Sequence, residues 1–401
     1  MYVYLPRPLS YLPLNITLSP PTRHLPPTPP YLTSPTSLTL LSLPCPPLLP
    51  YLTSPHTYPL TSPHLTTNTP QDDPTAKEVY RGPSTPISCL TTGGPTNSTV
   101  FAGAWDKSVW SWDLNTRAPG LKYTGHSDFV KAVVCAQLGS TSLLISGGAD
   151  KKIIVWDAVS GRRLHTLQDN VLNMMSIQDL IVDHHHVEAK GGKEGEEIML
   201  ISASSDPHIR RWRIRLDGWE QVVEEMPDVP GTERRTILEH ETTVYKLVLE
   251  GEGDEVDLWS SSGDGTAKCL SRLRGFQADD TFHHGDHVRA VAVTDLWVIT
   301  AGRDEDLKFW DRSEGRLYCS LQGHFDEVTE LLVMGGKVVS VSIDGTVRTW
   351  PLDKKGLDAV VAEQKPKLAE EEEVKEPEKE ADGLLSIDEE AELAALMEED
   401  D

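Results

Sequence analysis

Short apolar stretches alternate with short polar turns between residues 76 and 352, and this alternation repeats along the chain. Apolar runs such as Leu143–Ile145 and Trp297–Ile299 are followed by a polar turn and a second run, as in Ile153–Trp156 and Leu307–Trp310. The runs are short and rich in β-branched and aromatic side chains, which favours the strands of antiparallel sheets. The pattern predicts an all-β domain built from many short strands.

Each repeat is marked by an aspartate and a tryptophan at a fixed separation. In five units a tryptophan follows an aspartate by six residues, and in a sixth unit Leu270 stands six residues after Asp264. The tryptophans are Trp112, Trp156, Trp212, Trp310 and Trp350. Successive units are 40 to 58 residues apart. A repeat of about 40 residues with several short strands is typical of small sheets that stack radially and bury their faces against one another.

Several units also carry a Gly-His dipeptide at their start or a Trp-Asp dipeptide at their end. Examples are Gly125-His126, Trp156-Asp157, Gly323-His324 and Trp310-Asp311. In these residues the chain resembles the WD-repeat β-propeller family, over about two-thirds of its length. The resemblance implies a propeller of four-stranded blades, six of which are recognisable, with loops on two faces that bind other proteins.

The same resemblance implies a hydrogen-bonded network of His, Ser or Thr, Asp and Trp within a blade. It maps onto His126, Ser146, Asp150 and Trp156; onto His240, Ser260 and Asp264; onto His284, Thr300, Asp304 and Trp310; and onto His324, Ser340, Asp344 and Trp350. The first and third units have no evident histidine and the fourth has Leu270, so we expect these blades to be less rigidly locked, because a buried network is strong only when every member is satisfied. Since these sets recur once per unit, they predict structural rather than catalytic roles.

The number of blades depends on how the longer intervals are interpreted. An additional repeat inside either of the two longest intervals would need about 80 residues, so we assign loop insertions there, near 183–197 and 216–235. Residues 76–81 are expected to supply an outer strand that closes the ring against the last repeat. Seven blades, the commonest family arrangement, stay an alternative that would require sequence further upstream.

Composition narrows the classes of function. The net charge of −25 over 401 residues disfavours direct contact with nucleic acid or an anionic membrane surface. The five cysteines lie far apart without CxxC spacing, as in reduced cytoplasmic or nuclear proteins. No run approaches the roughly 18 apolar residues of a membrane span. Asp183–His186 lie in a predicted loop where consecutive side chains diverge, so we predict no metal site and no cofactor.

Residues 1–75 hold 19 of the 29 prolines. Proline at this density removes backbone donors and fixes φ, which predicts a disordered Pro/Ser/Thr-rich tail. The tail is either a region of phosphorylation or proline-binding ligands, or an extension without a function of its own.

Residues 353–401 form an acidic tail. Glu370–Glu380 is predicted to be extended and solvated. Ser386 and Glu389 match a capping box that predicts a short amphipathic helix over about 387–398. Its apolar residues Leu393, Leu396 and Met397 are candidates for binding a partner, and the alternative is a solubilising tail.

The repeat around Trp212 carries four arginines in an otherwise acidic chain. Residues 201–215 resemble the adaptor-binding box of WD proteins that act as substrate receptors of cullin-type ubiquitin ligases, with Arg215 three residues after the tryptophan. Alternation along a strand places Arg211, Arg213 and Arg215 on one face and Arg210 on the other. These three arginines are therefore partner-binding candidates, and a solvated edge is the alternative.

We accordingly predict a non-enzymatic scaffold that uses a monomeric propeller, residues 76–352, to assemble a multiprotein complex. A ubiquitin-ligase substrate receptor is the second hypothesis. The partner and the binding face are left open by the sequence.

Overall fold

The strands predicted from the sequence are present and form six successive antiparallel sheets. A computed structural model describes residues 37–39, 79–184, 197–225, 233–251 and 256–374. The first three sheets consist of β3 (Ile87–Gly93), β4 (Thr99–Ala104), β5 (Ser108–Asp113) and β6 (Pro119–Thr124); β7 (Val130–Leu138), β8 (Thr141–Gly148), β9 (Ile153–Asp157) and β10 (Arg163–Leu167); and β11 (Ile177–Asp183), β12 (Ile198–Ser204), β13 (Arg210–Ile214) and β14 (Trp219–Gln221). Each sheet has its strands in chain order.

The next three sheets follow the same plan. They consist of β17 (Val244–Glu250), β18 (Asp257–Ser262), β19 (Thr266–Ser271) and β20 (Gln277–His283); β21 (Val288–Val293), β22 (Trp297–Gly302), β23 (Leu307–Asp311) and β24 (Leu317–Leu321); and β25 (Val328–Met334), β26 (Lys337–Ser342) and β27 (Val347–Pro351). A short ribbon of β15 (Glu224–Glu225) and β16 (Glu233–Arg234) lies between the third and fourth sheets. Four strands are therefore confirmed in five sheets, and the last sheet has three among the described residues.

The first strand of each sheet is the innermost one. β3 contacts β7, β7 contacts β11, β11 contacts β17, β17 contacts β21, and β21 contacts β25. Apolar side chains fill the space between neighbouring sheets. One cluster joins the second and third sheets through Ile145, Val155, Leu180 and Trp212. Because each sheet buries its faces against its neighbours, the sheets are the blades of a β-propeller.

Residues 79–81 do not make the predicted contact. β2 (Val79–Arg81) pairs with β1 (Ser37–Thr39), whereas β27 pairs with β26 in the described part of the chain. β2 is held instead at the first sheet: Tyr80 lies edge-on to Trp112 with ring centroids 6.2 Å apart, and Trp112 Nε1 donates to the carbonyl of Arg81 at 2.8 Å.

β1 is a three-residue strand inside the segment for which the sequence predicts disorder. It contains no proline and keeps its backbone donors, so it can pair. The rest of residues 1–75 lies outside the described residues.

After the last sheet, α1 runs from Lys354 to Val374. The extended conformation predicted from Glu370 is therefore wrong for the first five residues of that stretch, because helix-forming Ala, Leu, Lys and Glu residues dominate it. No helix in the described ranges is long and apolar enough to cross a membrane. The predicted helix at 387–398, with Leu393, Leu396 and Met397, lies outside the described residues.

Candidate functional site

The second sheet joins His126, Ser146, Asp150 and Trp156 in one buried network. The histidine precedes the first strand, the serine lies on the second, the aspartate on the following turn, and the tryptophan on the third. His126 Nδ1 lies 2.9 Å from Asp150 Oδ1 and Nε2 lies 2.8 Å from Ser146 Oγ, while Trp156 Nε1 donates to Ser146 Oγ at 2.9 Å. With Nδ1 protonated, every polar atom of this set has a partner.

The last sheet repeats this arrangement. His324 Nδ1 lies 3.2 Å from Asp344 Oδ2, His324 Nε2 lies 2.7 Å from Ser340 Oγ, and Trp350 Nε1 donates to Ser340 Oγ at 2.8 Å. Burial lowers the pKa of His324, despite its carboxylate partner. The ring therefore favours its neutral form, which can accept from the serine hydroxyl.

In the fifth sheet the two ring nitrogens of the histidine exchange their partners. His284 Nδ1 lies 2.8 Å from Thr300 Oγ1, and Nε2 lies 2.7 Å from Asp304 Oδ1. Trp310 Nε1 donates to Thr300 at 2.8 Å. His284 follows the buried aromatic residue of the preceding strand by two positions, whereas His126 follows its counterpart by three. The ring satisfies the same kinds of partner with its two nitrogens exchanged.

The fourth sheet keeps the network without a tryptophan. His240 lies 2.8 Å from both Asp264 Oδ2 and Ser260 Oγ, and Asp264 also accepts from the hydroxyl of Thr266 at 2.6 Å. Leu270, at the tryptophan position, is fully buried in an apolar cluster. The substitution therefore removes one donor to Ser260 and leaves the contacts of Asp264 in place.

The carboxylates of these networks are held in their ionised form. Burial alone would raise the pKa of Asp304, but hydrogen bonds from His284 and Lys308 outweigh it and bring the pKa to about 2. The pKa values of Asp150, Asp264 and Asp344 are also lowered, because hydrogen bonds from histidine rings, hydroxyls and backbone N–H groups outweigh burial. Each carboxylate already binds its own blade, so the arrangement stabilises the fold.

Adjacent histidines provide a test of these networks. His284→Ala should lower the free energy of unfolding by about 2–3 kcal/mol, because Thr300 and Asp304 lose a buried partner. His283 is exposed, so His283→Ala should change it by less than about 0.5 kcal/mol. Chemical denaturation of both variants measures the difference, and equal losses would contradict the structural role of His284.

The third sheet replaces the missing histidine with a buried arginine. Arg210 has no exposed surface. Its Nε donates to Asp169 Oδ2 at 2.9 Å, and its Nη1 donates to Asp206 Oδ1 at 3.0 Å and to Ser204 Oγ at 2.9 Å. Trp212 Nε1 donates to Ser202 at 2.8 Å. An ion-paired network therefore stabilises the third blade, which we expected to be less rigidly locked because it lacks the histidine.

The first sheet has a smaller polar network in place of the histidine network. Asp106 accepts from Trp110 Nε1 and from Lys122 Nζ, both at 2.9 Å. Trp112 donates to a backbone carbonyl of β2 instead of to a hydroxyl, since Ala102 stands at the serine position.

The other three arginines of this strand lie on the face opposite Arg210, as alternation predicts. Arg213 pairs with Glu220 at 2.5 Å and with Glu197 at 3.3 Å, and Arg215 pairs with Glu197 at 3.0 Å. The guanidinium of Arg211 lies 4.8 Å from the ring centre of Phe276. Neighbouring glutamates therefore already neutralise much of the charge of Arg213 and Arg215.

A set of residues that the sequence analysis did not single out surrounds the propeller axis. In every first strand the pairing register slips by one residue near its start, which is a β-bulge. The bulged residues are Ser88, Lys131, Gln178, Tyr245, Arg289 and Thr329. Five of them follow a buried β-branched residue and Ser88 follows the partly buried Ile87, and in four of the blades this preceding residue stands four positions after the network histidine. The four-residue spacing from the histidine could therefore have identified these positions from the sequence in those four blades. We call these six positions the bulge ring.

The next residue on three of these strands forms a buried charged cluster. Lys246 Nζ lies 3.1 Å from Glu330 Oε1 and 3.8 Å from Asp179 Oδ2. Burial raises the pKa of Glu330 to about 7, and burial also raises the pKa of Asp179. The cluster links the third, fourth and sixth sheets across the axis.

The described residues contain no group of three or more His, Cys, Asp or Glu side chains that could hold a metal ion. Asp183 is paired with Arg272 at 2.8 Å, and His185 and His186 lie outside the described residues.

These blades and their networks define a β-propeller of the WD-repeat class. The family model "WD domain, G-beta repeat" matches residues 75–113 and 118–157. The chain therefore carries WD repeats and is similar to WD repeat-containing proteins.

Comparison with known proteins agrees with this assignment. The chain is 27% identical over 284 residues to the WD repeat-containing protein C126.01c of Schizosaccharomyces pombe, covering 69% of each chain. It is 24% identical to the nuclear distribution protein PAC1 of Arthroderma otae over 66% of this chain and 49% of that one. It is 25% identical to the pre-mRNA-processing factor 19 homolog 2 of Arabidopsis thaliana over 56% of this chain and 39% of that one. The chain thus spans half or less of the length of the last two relatives.

Proposed function

We propose that the chain is a non-enzymatic scaffold whose propeller assembles a multiprotein complex in the cytoplasm or nucleus. The observation that carries this proposal is that the Ser or Thr, His and Asp side chains of the blades are hydrogen-bonded to one another, with the histidines and hydroxyl residues buried. A catalytic acid or base needs access to a substrate, and these groups are committed to the fold. The blades leave their connecting loops as recognition surface.

The comparisons support a role in complexes. WD-repeat proteins generally act as protein-interaction scaffolds, and the names of two relatives refer to nuclear distribution and to pre-mRNA processing. The net charge of −25 favours proteins over nucleic acids or membranes as partners.

Affinity purification of the tagged full-length protein from its native cell, followed by mass spectrometry, tests the proposal. We expect a reproducible set of proteins that is absent from a tag-only control. If the tagged protein recovers no such set, the scaffold proposal fails. Leu393→Ala, Leu396→Ala and Met397→Ala in the same assay would show whether the acidic tail contributes.

The ligase hypothesis is tested by Arg215→Ala in that assay. If this strand docks an adaptor, the variant should lose a cullin adaptor that the wild type recovers, because Arg215 would bind it directly. The melting temperature should change little, since ion pairs of an arginine 41% exposed contribute about 0–1 kcal/mol. Arg274→Ala, which removes another exposed ion pair, serves as the control. Recovery of no adaptor by the wild type would eliminate this hypothesis.

A further inference from the structure

The last sheet has an unpaired outer edge. In each of the other five sheets a fourth strand pairs with the third, whereas β27 pairs with β26 alone among the described residues. β2, the strand expected at this edge, pairs with β1 instead. The backbone N–H and C=O groups along the outer side of β27 are therefore open to pairing with a further strand.

The other sheets show which side chain an outer strand supplies. In each of them the residue three positions before the tryptophan position is paired with a large apolar residue of the outer segment, and that residue is no more than 2% exposed. The pairs are Val109 with Tyr123, Ile153 with Leu167, Ile209 with Ile237, Ala267 with Phe282, and Leu307 with Leu321. The equivalent residue of the last sheet, Val347, is partly exposed and has no such partner within the described ranges.

One face of the last sheet is open on the same side. Val339 lies opposite Thr349 and Val341 lies opposite Val347, so these four side chains share a face. Thr349 is exposed and the other three are partly exposed. The equivalent residues of the fifth sheet have no exposed surface, and they are Ile299, Ala301, Leu307 and Phe309.

The contacts between sheets explain this difference. The fifth sheet is covered because β21 and β22 both contact β25 of the next sheet. No contact of similar extent joins β25 to β3 in the described part of the chain. The edge and the face of the last sheet are therefore open at one place, whereas the same positions are covered in the other sheets.

The chain itself offers few strands for this place. Tyr80 of β2 is 1% exposed because it packs on Trp112 of the first sheet, and β2 is already paired with β1. Proline interrupts residues 1–75 at short intervals, which removes backbone donors that a paired strand needs. A strand from another protein therefore fits the edge better than these segments do.

We propose that a strand of a second protein adds to β27 as the fourth strand of the last sheet and places a large apolar side chain opposite Val347. This proposal rests on the scaffold function and specifies how one partner is held. Main-chain hydrogen bonds along β27 bind the strand, and the side chain opposite Val347 selects it. Because the net charge of the chain is −25, basic residues beside that side chain favour association.

A fluorescein-labelled peptide with the sequence of residues 161–168 tests the proposal, because it contains the outer strand β10 and two arginines. We expect saturable binding to the full-length protein in fluorescence anisotropy. Leu167→Ala in the peptide should weaken binding about tenfold, since it removes most of the apolar side chain. Proline at both His165 and Thr166 of the peptide should abolish binding, since it removes backbone donors. Equal binding of the three peptides, or no saturable binding, would overturn the proposal.

Lysine variants of the protein locate the binding site. Val347→Lys and Thr349→Lys should each weaken peptide binding about tenfold, because a lysine on an edge strand opposes the addition of another strand. Val333 is 39% exposed on the opposite face of the sheet, so Val333→Lys makes the same change of charge and should bind as the wild type does. Thr349 is exposed, so its variant should keep the wild-type melting temperature. Equal effects of all three lysines would contradict the assignment to this edge.

Other occupants of the edge give different results. If residues 76–81 pair with β27 in solution, they exclude the peptide and the proposal fails. If a second copy of the chain occupies the edge, light scattering shows a dimer that Val347→Lys dissociates, which would also overturn the proposal. The scaffold function is tested separately, because the peptide assay uses purified protein and affinity purification reports on the partners in the cell.

Discussion

Arg210→Ala should lower the free energy of unfolding by about 3–5 kcal/mol, because it leaves the buried carboxylates of Asp169 and Asp206 without their cation. The side chains of Arg210 and Asp169 have 0% and 1% of their surface exposed. Hydrogen bonds from Arg210 lower the pKa values of both aspartates against the opposite effect of burial. Their contribution to stability is therefore present above the unfolded pKa and lost as pH falls through the folded one.

Urea denaturation at pH 7 and pH 4 measures this effect. The difference between wild type and variant should be largest at pH 7 and smaller at pH 4, where protonation begins to relieve the unpaired carboxylates. Arg213→Ala, on the same strand but paired at the surface, should cost about 0–1 kcal/mol. If the two arginine variants lose equal stability, Arg210 does not replace the histidine network.

Lys246→Met should destabilise the protein by about 3 kcal/mol at pH 8, because Glu330 and Asp179 would then share a buried space without a cation. Glu330 has a pKa raised from 4.5 to about 7 by burial. A carboxyl group of this kind has no destabilising effect while it is protonated, so the effect is absent at low pH, develops as pH rises above the unfolded pKa and is complete above the folded pKa. The loss caused by Lys246→Met should therefore shrink between pH 8 and pH 5.5.

The same cluster predicts how the stability of the wild-type protein depends on pH. Between pH 4.5 and 7 this group alone should lower the free energy of unfolding by about 3 kcal/mol. Glu330→Gln should flatten that part of the pH profile, whereas Glu314→Gln, at an exposed residue, should leave it unchanged. A steep profile in Glu330→Gln would assign the titration to another group.

The sequence predicted the blades because their main signal is local. An apolar run, a turn with aspartate and a tryptophan six residues later all lie within one sheet, and the strands follow that order. The role of Arg210 was harder to recognise, because its partner Asp169 lies 41 residues away. Asp169 stands two residues after the buried Leu167, as His284 stands two residues after Phe282. The spacing therefore marks Asp169 as the residue at the histidine position, although the residue type differs.

The residues that meet around the propeller axis could not be predicted in the same way. The bulge ring joins six residues spread over about 240 positions, and the charged cluster joins Asp179, Lys246 and Glu330. Their proximity depends on how the sheets are placed around the axis, which no local pattern specifies. The predictions for Arg213 and Arg215 were limited for a related reason, since Glu197 and Glu220 come from two other strand regions.

The edge-on aromatic contacts between sheets have a direction along the chain. Tyr80 on β2, and Tyr123 and Phe282 on the outer strands β6 and β20, contact the tryptophan of the sheet that follows: Trp112, Trp156 and Trp310. In all three pairs the covering ring precedes the tryptophan in sequence. During synthesis on the ribosome the covering ring would therefore emerge before the tryptophan that it shields. We therefore expect these three sheets to dock in the order of their translation, each against a strand already made.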